Sequence, residues 1–280
     1  MRDLQGKAAF VTGGASGIGF AMTRAFLQAG MKVMIADIEQ AALDRSLTEL
    51  KPLGEVRGVV CDVAERQSVF DAAKASFDAF GRVHVLCNNA GVGAGGPQEQ
   101  ISAGDWDWVL DVNLRGVVHG IRAFLMHIKA HGEGGHVVNT ASMAGHLSPP
   151  GMGPYCASKF AVVAMSEGLA AELQGSNVGV SVLCPGWVRT GITESGRNRP
   201  ERFGARSNLP PGPMSAMAAE AVRNGLDPSE VAAQVVDAIR ENHLYIFTHP
   251  EMRGAVEERF ARIRAAFDRA EQAKRARAAE

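Results

Sequence analysis

Short apolar runs recur along this chain, separated by stretches whose apolar residues repeat at helical spacing, and that alternation leaves few folds open. Residues 7–12 (KAAFVT), 32–37 (KVMIAD), 56–61, 83–87, 136–140, 178–183 and 244–247 read as strands. Residues 17–29, stopped by Gly30, residues 40–50, closed by Pro52, residues 66–80, ended by Gly81, and residues 105–130 read as helices, with another starting at Pro154. Strands that are apolar throughout belong in a sheet covered on both faces, and helical crossovers make such a sheet parallel. The pattern predicts an α/β fold: one doubly wound domain over residues 1–250, with a mostly parallel seven-stranded sheet and helices on both faces.

Bulk properties narrow the function. With 280 residues, 46% of them hydrophobic, the chain buries a sizeable core, and a formal net charge of −1 gives no electrostatic case for nucleic acid or an anionic membrane. Cys61, Cys87, Cys156 and Cys184 are scattered without a C-x-x-C pair and read as reduced core thiols. Residues 1–6 lack the apolar core of a secretion signal, and no run reaches membrane-spanning length. A cytoplasmic protein is the expectation. No His, Cys, Asp or Glu grouping has metal-ligand spacing, so no catalytic metal is expected.

Doubly wound sheets bind ligands outside the C-terminal ends of their strands, near a switch in strand order. The first such end carries Thr12-Gly13-Gly14-Ala15-Ser16-Gly17-Ile18-Gly19. Its small residues allow a tight turn and close approach to a diphosphate at the following helix N-terminus. Asp37 closes the second strand, where a carboxylate bonds ribose hydroxyls and repels a 2′-phosphate. No Arg or Lys stands in the glycine turn or in residues 38–44 to hold that phosphate, so NAD is favoured over NADP. Asp62 ends the third strand and Asn88-Asn89-Ala90-Gly91 the fourth, short polar groups suited to an adenine edge or to turn chemistry. Asn113 lies within a helical stretch, where asparagine competes for backbone groups, which predicts a local distortion or a bound water. Ser142 follows the fifth strand. Pro154 suits a helix start, and the next residue, Tyr155, stands four before Lys159, which puts the phenol and the ammonium on one face. That ammonium and the helix N-terminus are expected to lower the phenol from its ordinary value of about 10, making it an acid–base group near neutrality.

Taken together and in order, TGGASGIG at 12–19, Asp37, Asp62-Val63, NNAG at 88–91, Asn113, Ser142, YCASK at 155–159 and PGWVRT at 185–190 resemble the short-chain dehydrogenase/reductase (SDR) family over about the first 190 residues. The resemblance implies a Rossmann-like fold and hydride transfer between an alcohol or ketone and NAD. It implies that Tyr155 is the catalytic acid–base and that Lys159 lowers its pKa while binding the nicotinamide ribose. Ser142 would orient the substrate oxygen, and Asn113 would hold a water linking Lys159 to a proton relay. Gly13, Ser16, Gly17, Ile18, Gly19, Asp37, Asp62, Val63, Asn89 and Gly91 would line the cofactor. So would Pro185 and Gly186, with Val188 and Thr190 at the nicotinamide carboxamide. The resemblance further implies a homodimer or homotetramer.

Substrate choice should reside in residues 143–153 and in a lid over residues 191–226, which is rich in Gly, Pro and Arg. Met143, His146, Met152 and Trp187 are the candidate substrate contacts, and Leu209, Met214 and Met217 are further candidates for an apolar pocket wall. This favours a medium-to-bulky apolar or aromatic secondary alcohol or ketone. Arg197, Arg199, Arg202 and Arg206 face only Glu201 in their own segment, which reads as a solvated loop or a site for an anionic substrate group. Met252, Val256, Phe260, Ile263, Phe267 and Ala270 form the narrow apolar seam of an amphipathic helix over residues 251–280, packed on its own domain or on another subunit. Mixed charge beyond Phe267 predicts a frayed end. Two other functions stay open at this level: an NAD-binding redox sensor or scaffold with vestigial catalysis, and an isomerase or dehydratase that keeps its NAD bound.

Overall fold

In the computed structural model, which describes residues 1–205, 207 and 213–278, the seven apolar runs form one sheet. Its strands are β1 (Ala8–Thr12), β2 (Lys32–Asp37), β3 (Val56–Val60), β4 (Val85–Asn88), β5 (Gly135–Thr140), β6 (Val178–Cys184) and β7 (Tyr245–Phe247). They lie in the order β3-β2-β1-β4-β5-β6-β7, and every pairing is parallel. The sheet is thus wholly rather than mostly parallel, because every connection carries at least one helix and none is a hairpin. The helices are α1 (Gly17–Gln28), α2 (Gln40–Leu50), α3 (Arg66–Phe80), α4 (Ala103–Leu110), α5 (Gly116–Ala130), α6 (Gly153–Glu172), α7 (Pro213–Arg223), α8 (Pro228–Glu241) and α9 (Arg253–Ala278).

Alternation along the strands divides the core in two. Ala9 and Val11 of β1 join a cluster with Met22, Phe26, Val235 and Ile239, whereas Phe10 between them joins Val69, Trp108, Phe124 and Ile128. Both faces are apolar, which is why the strands read as continuous apolar runs. Phe124 is fully buried, its ring centroid 4.4 Å from that of Phe10 and 5.4 Å from that of Phe77. Phe124→Ala is expected to lower unfolding free energy by about 3–5 kcal/mol through lost transfer energy and the cavity left behind. Urea denaturation checks this, and a loss below about 1 kcal/mol would mean the cluster closes the gap, unlike the cores on which that range rests.

The helical stretch around Asn113 is interrupted. Residues Asp111–Arg115 form a π-helical turn between α4 and α5. The distortion falls where the sequence predicts it, and Asn113 bonds backbone of another segment there. Asp227 caps α8, accepting from Ser229 N–H while Glu230 accepts from Asp227 N–H.

The chain divides into two compact units, Met1–Thr248 and His249–Glu280. The second is built on α9, where Phe260, Ile263 and Phe267 are exposed. This helix continues to Ala278 where fraying was expected, and the opposite charges Arg253–Glu257 and Glu271–Arg275 pair one turn apart. No helix of the described residues is long and apolar enough to cross a membrane.

Candidate active site

The strand order reverses between β1 and β4, and the sequence-predicted residues gather at the C-terminal ends around that point. Gly13 and Gly17 take φ values of +59° and +53°, which turn the chain from β1 into α1. Gly19 lies so close to this turn that a Cβ on it would stand 2.2 Å from Gly13 O and 2.6 Å from Asn89 Nδ2. Ser16 precedes α1 without a side-chain capping bond, and Ile18 is half-buried. Asn89 fastens the turn from β4, its Nδ2 donating to Thr12 O at 3.0 Å and to Gly13 O at 3.3 Å. Thr12 Oγ1 in turn accepts from the N–H groups of Asn89 and Ala90.

Asp37 joins the turn to β2. Its Oδ2 accepts from Ala15 N–H and its Oδ1 from Glu39 N–H, both at 3.1 Å. Burial raises the carboxyl above its usual range, and these N–H groups offset part of the rise. Asp62 Oδ1 accepts from Ala64 N–H at 3.0 Å, and its Oδ2 lies 2.7 Å from Arg202 Nη2. Val63 is buried, with its carbonyl 3.0 Å from His119 Nδ1. On the other side Thr190 packs against Gly17, and Val188 is buried and bridged to Leu226. Pro185 O accepts from Met143 N–H, and Gly186 N–H donates to Thr248 Oγ1.

The four residues expected to do chemistry stand together beside this cradle. α6 opens at Gly153–Pro154, and Lys159 Nζ lies 5.6 Å from the Tyr155 ring centroid. Lys159 is buried and donates to Thr140 O at 2.9 Å; burial lowers its ammonium to about 8. Tyr155 departs from the sequence expectation. Burial raises its phenol above the ordinary value, and a hydrogen bond from Ser142 offsets only part of that rise. Desolvation sets the direction, so the four-residue spacing to Lys159 does not bring the phenol below its ordinary value. Ser142 Oγ accepts from Ala144 N–H at 3.1 Å and also lies 3.3 Å from Pro185 O. Asn113 is fully buried, with Oδ1 accepting from Val92 N–H and Nδ2 donating to Val92 O and Ser158 Oγ. Gly91 keeps a gap between the two polar heads: a Cβ there would stand 3.5 Å from both Asn113 Oδ1 and Lys159 Nζ. Cys156 is buried, which raises its thiol and keeps it neutral.

The substrate candidates scatter. Met143 is buried, Met152 half-buried and Trp187 exposed. His146 turns toward the sheet edge, with Nε2 3.4 Å from Cys184 Sγ and its ring 5.2 Å from that of Phe247. Met217 is exposed on α7; Arg206, Leu209 and the Met214 side chain lie outside the described residues. The three described arginines of the cluster are paired, Arg199 buried and Arg197 and Arg202 still partly exposed. Arg197 pairs with Glu39, Arg199 with Asp105, and Arg202 with Asp62 and Glu65. Glu39, Asp105, Ser195, Thr140 and Ser158 were not legible as partners because each lies 19 to 158 residues along the chain from the group it serves.

Residues 7–201 match the family model described as short chain dehydrogenase. A "C alpha-dehydrogenase" of Sphingobium sp. strain SYK-6 is 35% identical over 265 residues, covering 94% of this chain and 87% of the relative. A "CLA biosynthesis dehydrogenase/reductase" of Lactiplantibacillus plantarum is 33% identical over 278 residues, covering 94% and 95%. A short chain dehydrogenase/reductase from Burkholderia phymatum, crystallised in complex with NAD, superposes with a TM-score of 0.91 at 43% identity, covering 95% of this chain and 97% of that one. With its wholly parallel sheet and glycine cradle at the switch point, this chain belongs to the short-chain dehydrogenase/reductase family of oxidoreductases.

Proposed function

We propose that this protein is an NAD-dependent dehydrogenase of a secondary alcohol, or a reductase of the matching ketone, with Tyr155 as its acid–base. The observation that carries the reading is the convergence of Tyr155, Ser142, Lys159 and Asn113 beside a cradle that a single added Cβ at Gly19 would fill. The cradle suits a dinucleotide: Gly13, Ser16, Gly17, Ile18 and Gly19 for the diphosphate, Asp37 for the adenosine ribose, Asp62, Val63 and Asn89 for the adenosine side. Gly91, Pro185, Gly186, Val188 and Thr190 would line the nicotinamide half. The bound nicotinamide supplies the hydride acceptor or donor.

The side chains then divide the remaining work. In oxidation the Tyr155 phenolate takes the alcohol proton, and Ser142 donates a hydrogen bond to the same oxygen as it becomes a carbonyl. Lys159, held by Thr140 O, stabilises the phenolate. Asn113 stands across the Gly91 gap, where a water joins Lys159 to bulk proton exchange. Reduction uses the same groups in reverse protonation states. Trp187 and Met152 suit an apolar or aromatic substrate.

Because Lys159 and Tyr155 interact, loss of one proton from the pair produces both the neutral-lysine and the phenolate forms. With the lysine at about 8, kcat/KM for oxidation should rise with unit slope up to about pH 8 and then level. Reduction should fall over the same range. Lys159→Met removes the lower-pKa partner and should move the oxidation profile upward toward the phenol's own range. A flat wild-type profile from pH 6 to 10 contradicts the assignment, since the lysine's value of about 8 lies inside that interval.

Cofactor choice is tested at Asp37. Asp37→Asn removes a charged acceptor for the ribose and the repulsion of a 2′-phosphate. It should shift the ratio of kcat/KM for NAD over NADP down by about 10- to 100-fold, the value of one hydrogen bond to a charged group. Reduced-nicotinamide absorbance with a panel of aliphatic, alicyclic and aryl secondary alcohols checks both points. Faster wild-type turnover with NADP overturns the NAD assignment.

A further inference from the structure

The stretch of residues 190–203 reaches farther along the cleft than a cover over substrate requires. It starts at Thr190, against Gly17, and Ser195, buried, accepts from Gly93 N–H at 3.1 Å. Beyond that it reaches the ends of β2 and β3. Arg197 Nη2 lies 2.9 Å from Glu39 Oε1, and Asn198 Nδ2 donates to the same oxygen at 2.8 Å. Arg202 lies 2.7 Å from Asp62 Oδ2 and 3.1 Å from Glu65 Oε1. Glu39 is two residues past Asp37, and Asp62 follows β3, so these contacts flank the place proposed for adenosine.

Arg199, between them, is held in another way. Its side chain and that of Asp105 are 5% and 4% exposed, with 2.6 Å between Nη1 and Oδ1. The other guanidinium N–H groups donate to Gly204 O and Phe203 O, and the group lies 5.3 Å from the Trp108 ring centroid. Asp105 also accepts from Ser102 Oγ and Ser207 N–H. A buried pair with its hydrogen bonds filled opens only at high cost. The Arg197 and Arg202 side chains are 42% and 40% exposed, so water and salt weaken their pairs.

We propose that residues 195–203 form a strap over the adenosine end of the cofactor cleft. It pivots on Arg199–Asp105 and unclasps at Arg197–Glu39 and Arg202–Asp62–Glu65, so the exposed pairs set the rate of cofactor exchange. The inference rests on the reading of this cleft as a nicotinamide dinucleotide site.

The test is stopped-flow release of NADH from the full-length protein, chased with excess NAD at low and high salt. The double variant Arg197→Gln, Arg202→Gln should release NADH about three- to tenfold faster at low salt, the worth of two exposed pairs. It should respond less to added salt than the wild type, and its hydride transfer in a single turnover should be unchanged. Glu39→Gln separates the strap from direct contact between Arg197 and a cofactor phosphate. The strap makes that variant release NADH faster; direct contact, freed of a competing carboxylate, makes it release more slowly. Unchanged release in the double variant, or slower release in Glu39→Gln, overturns the proposal. A wild-type protein that binds no NADH removes the cofactor reading itself, and the strap with it.

Discussion

Tyr155→Phe is expected to lower turnover by about 10²- to 10⁴-fold, the range for a positioned general acid–base, while NADH binding stays near the wild-type value. The substitution deletes one oxygen and keeps the ring, so the packing of α6 and the position of Lys159 should persist. What disappears is the proton acceptor for the alcohol and the partner of Ser142. Lys159 does not replace it, because its ammonium is buried and donates to Thr140 O. Steady-state rates with a responsive alcohol, together with an NADH titration of the same preparation, check this. A variant that keeps a tenth or more of wild-type kcat with normal binding removes Tyr155 from the acid–base role.

The second large effect is expected at Gly19. In Gly19→Ala the new methyl would stand 2.2 Å from Gly13 O, a backbone atom, and 2.6 Å from Asn89 Nδ2. Relief requires the turn to open or the Asn89 carboxamide to leave Thr12 O and Gly13 O. Overpacking of this kind costs about 1–3 kcal/mol. Directed into the cradle, it should weaken NADH binding by about 10- to 100-fold. Gly168→Ala is the matched control: it lies within α6 with nothing within 4 Å of an added Cβ. There alanine should be neutral or stabilise by about 0.5–1 kcal/mol through backbone entropy. Equal NADH affinity and equal thermal midpoint in both variants would show that the glycine turn does not shape the cofactor site.

The sheet and the cradle were legible because their signals are local. Each buried strand declares itself as an apolar run, and TGGASGIG carries its turn chemistry within eight residues. The distortion at Asn113 was legible for the same reason, since an asparagine inside a helical period conflicts with its own backbone. What failed depended on distance or environment. The partners of Arg197, Arg199 and Arg202 lie 158, 94 and 140 residues away, so the segment looked unopposed in charge. The Tyr155 phenol was expected low from its spacing to Lys159, but spacing does not report desolvation, which dominates in the folded chain. The contacts of His146, expected at the substrate from its place in residues 143–153, were not legible either: its ring lies near Cys184 and Phe247.

The proposed reaction is direct hydride exchange at a carbinol carbon positioned by Tyr155 and Ser142. The test mixes the enzyme with NADH carrying deuterium at both nicotinamide C4 positions and an aryl or alicyclic ketone, then locates the label by mass spectrometry. Deuterium is expected on the carbinol carbon of the product alcohol, at a rate lost in Tyr155→Phe. Consumption of NADH with the label absent from that carbon, or an alcohol formed equally fast by the variant, would contradict it.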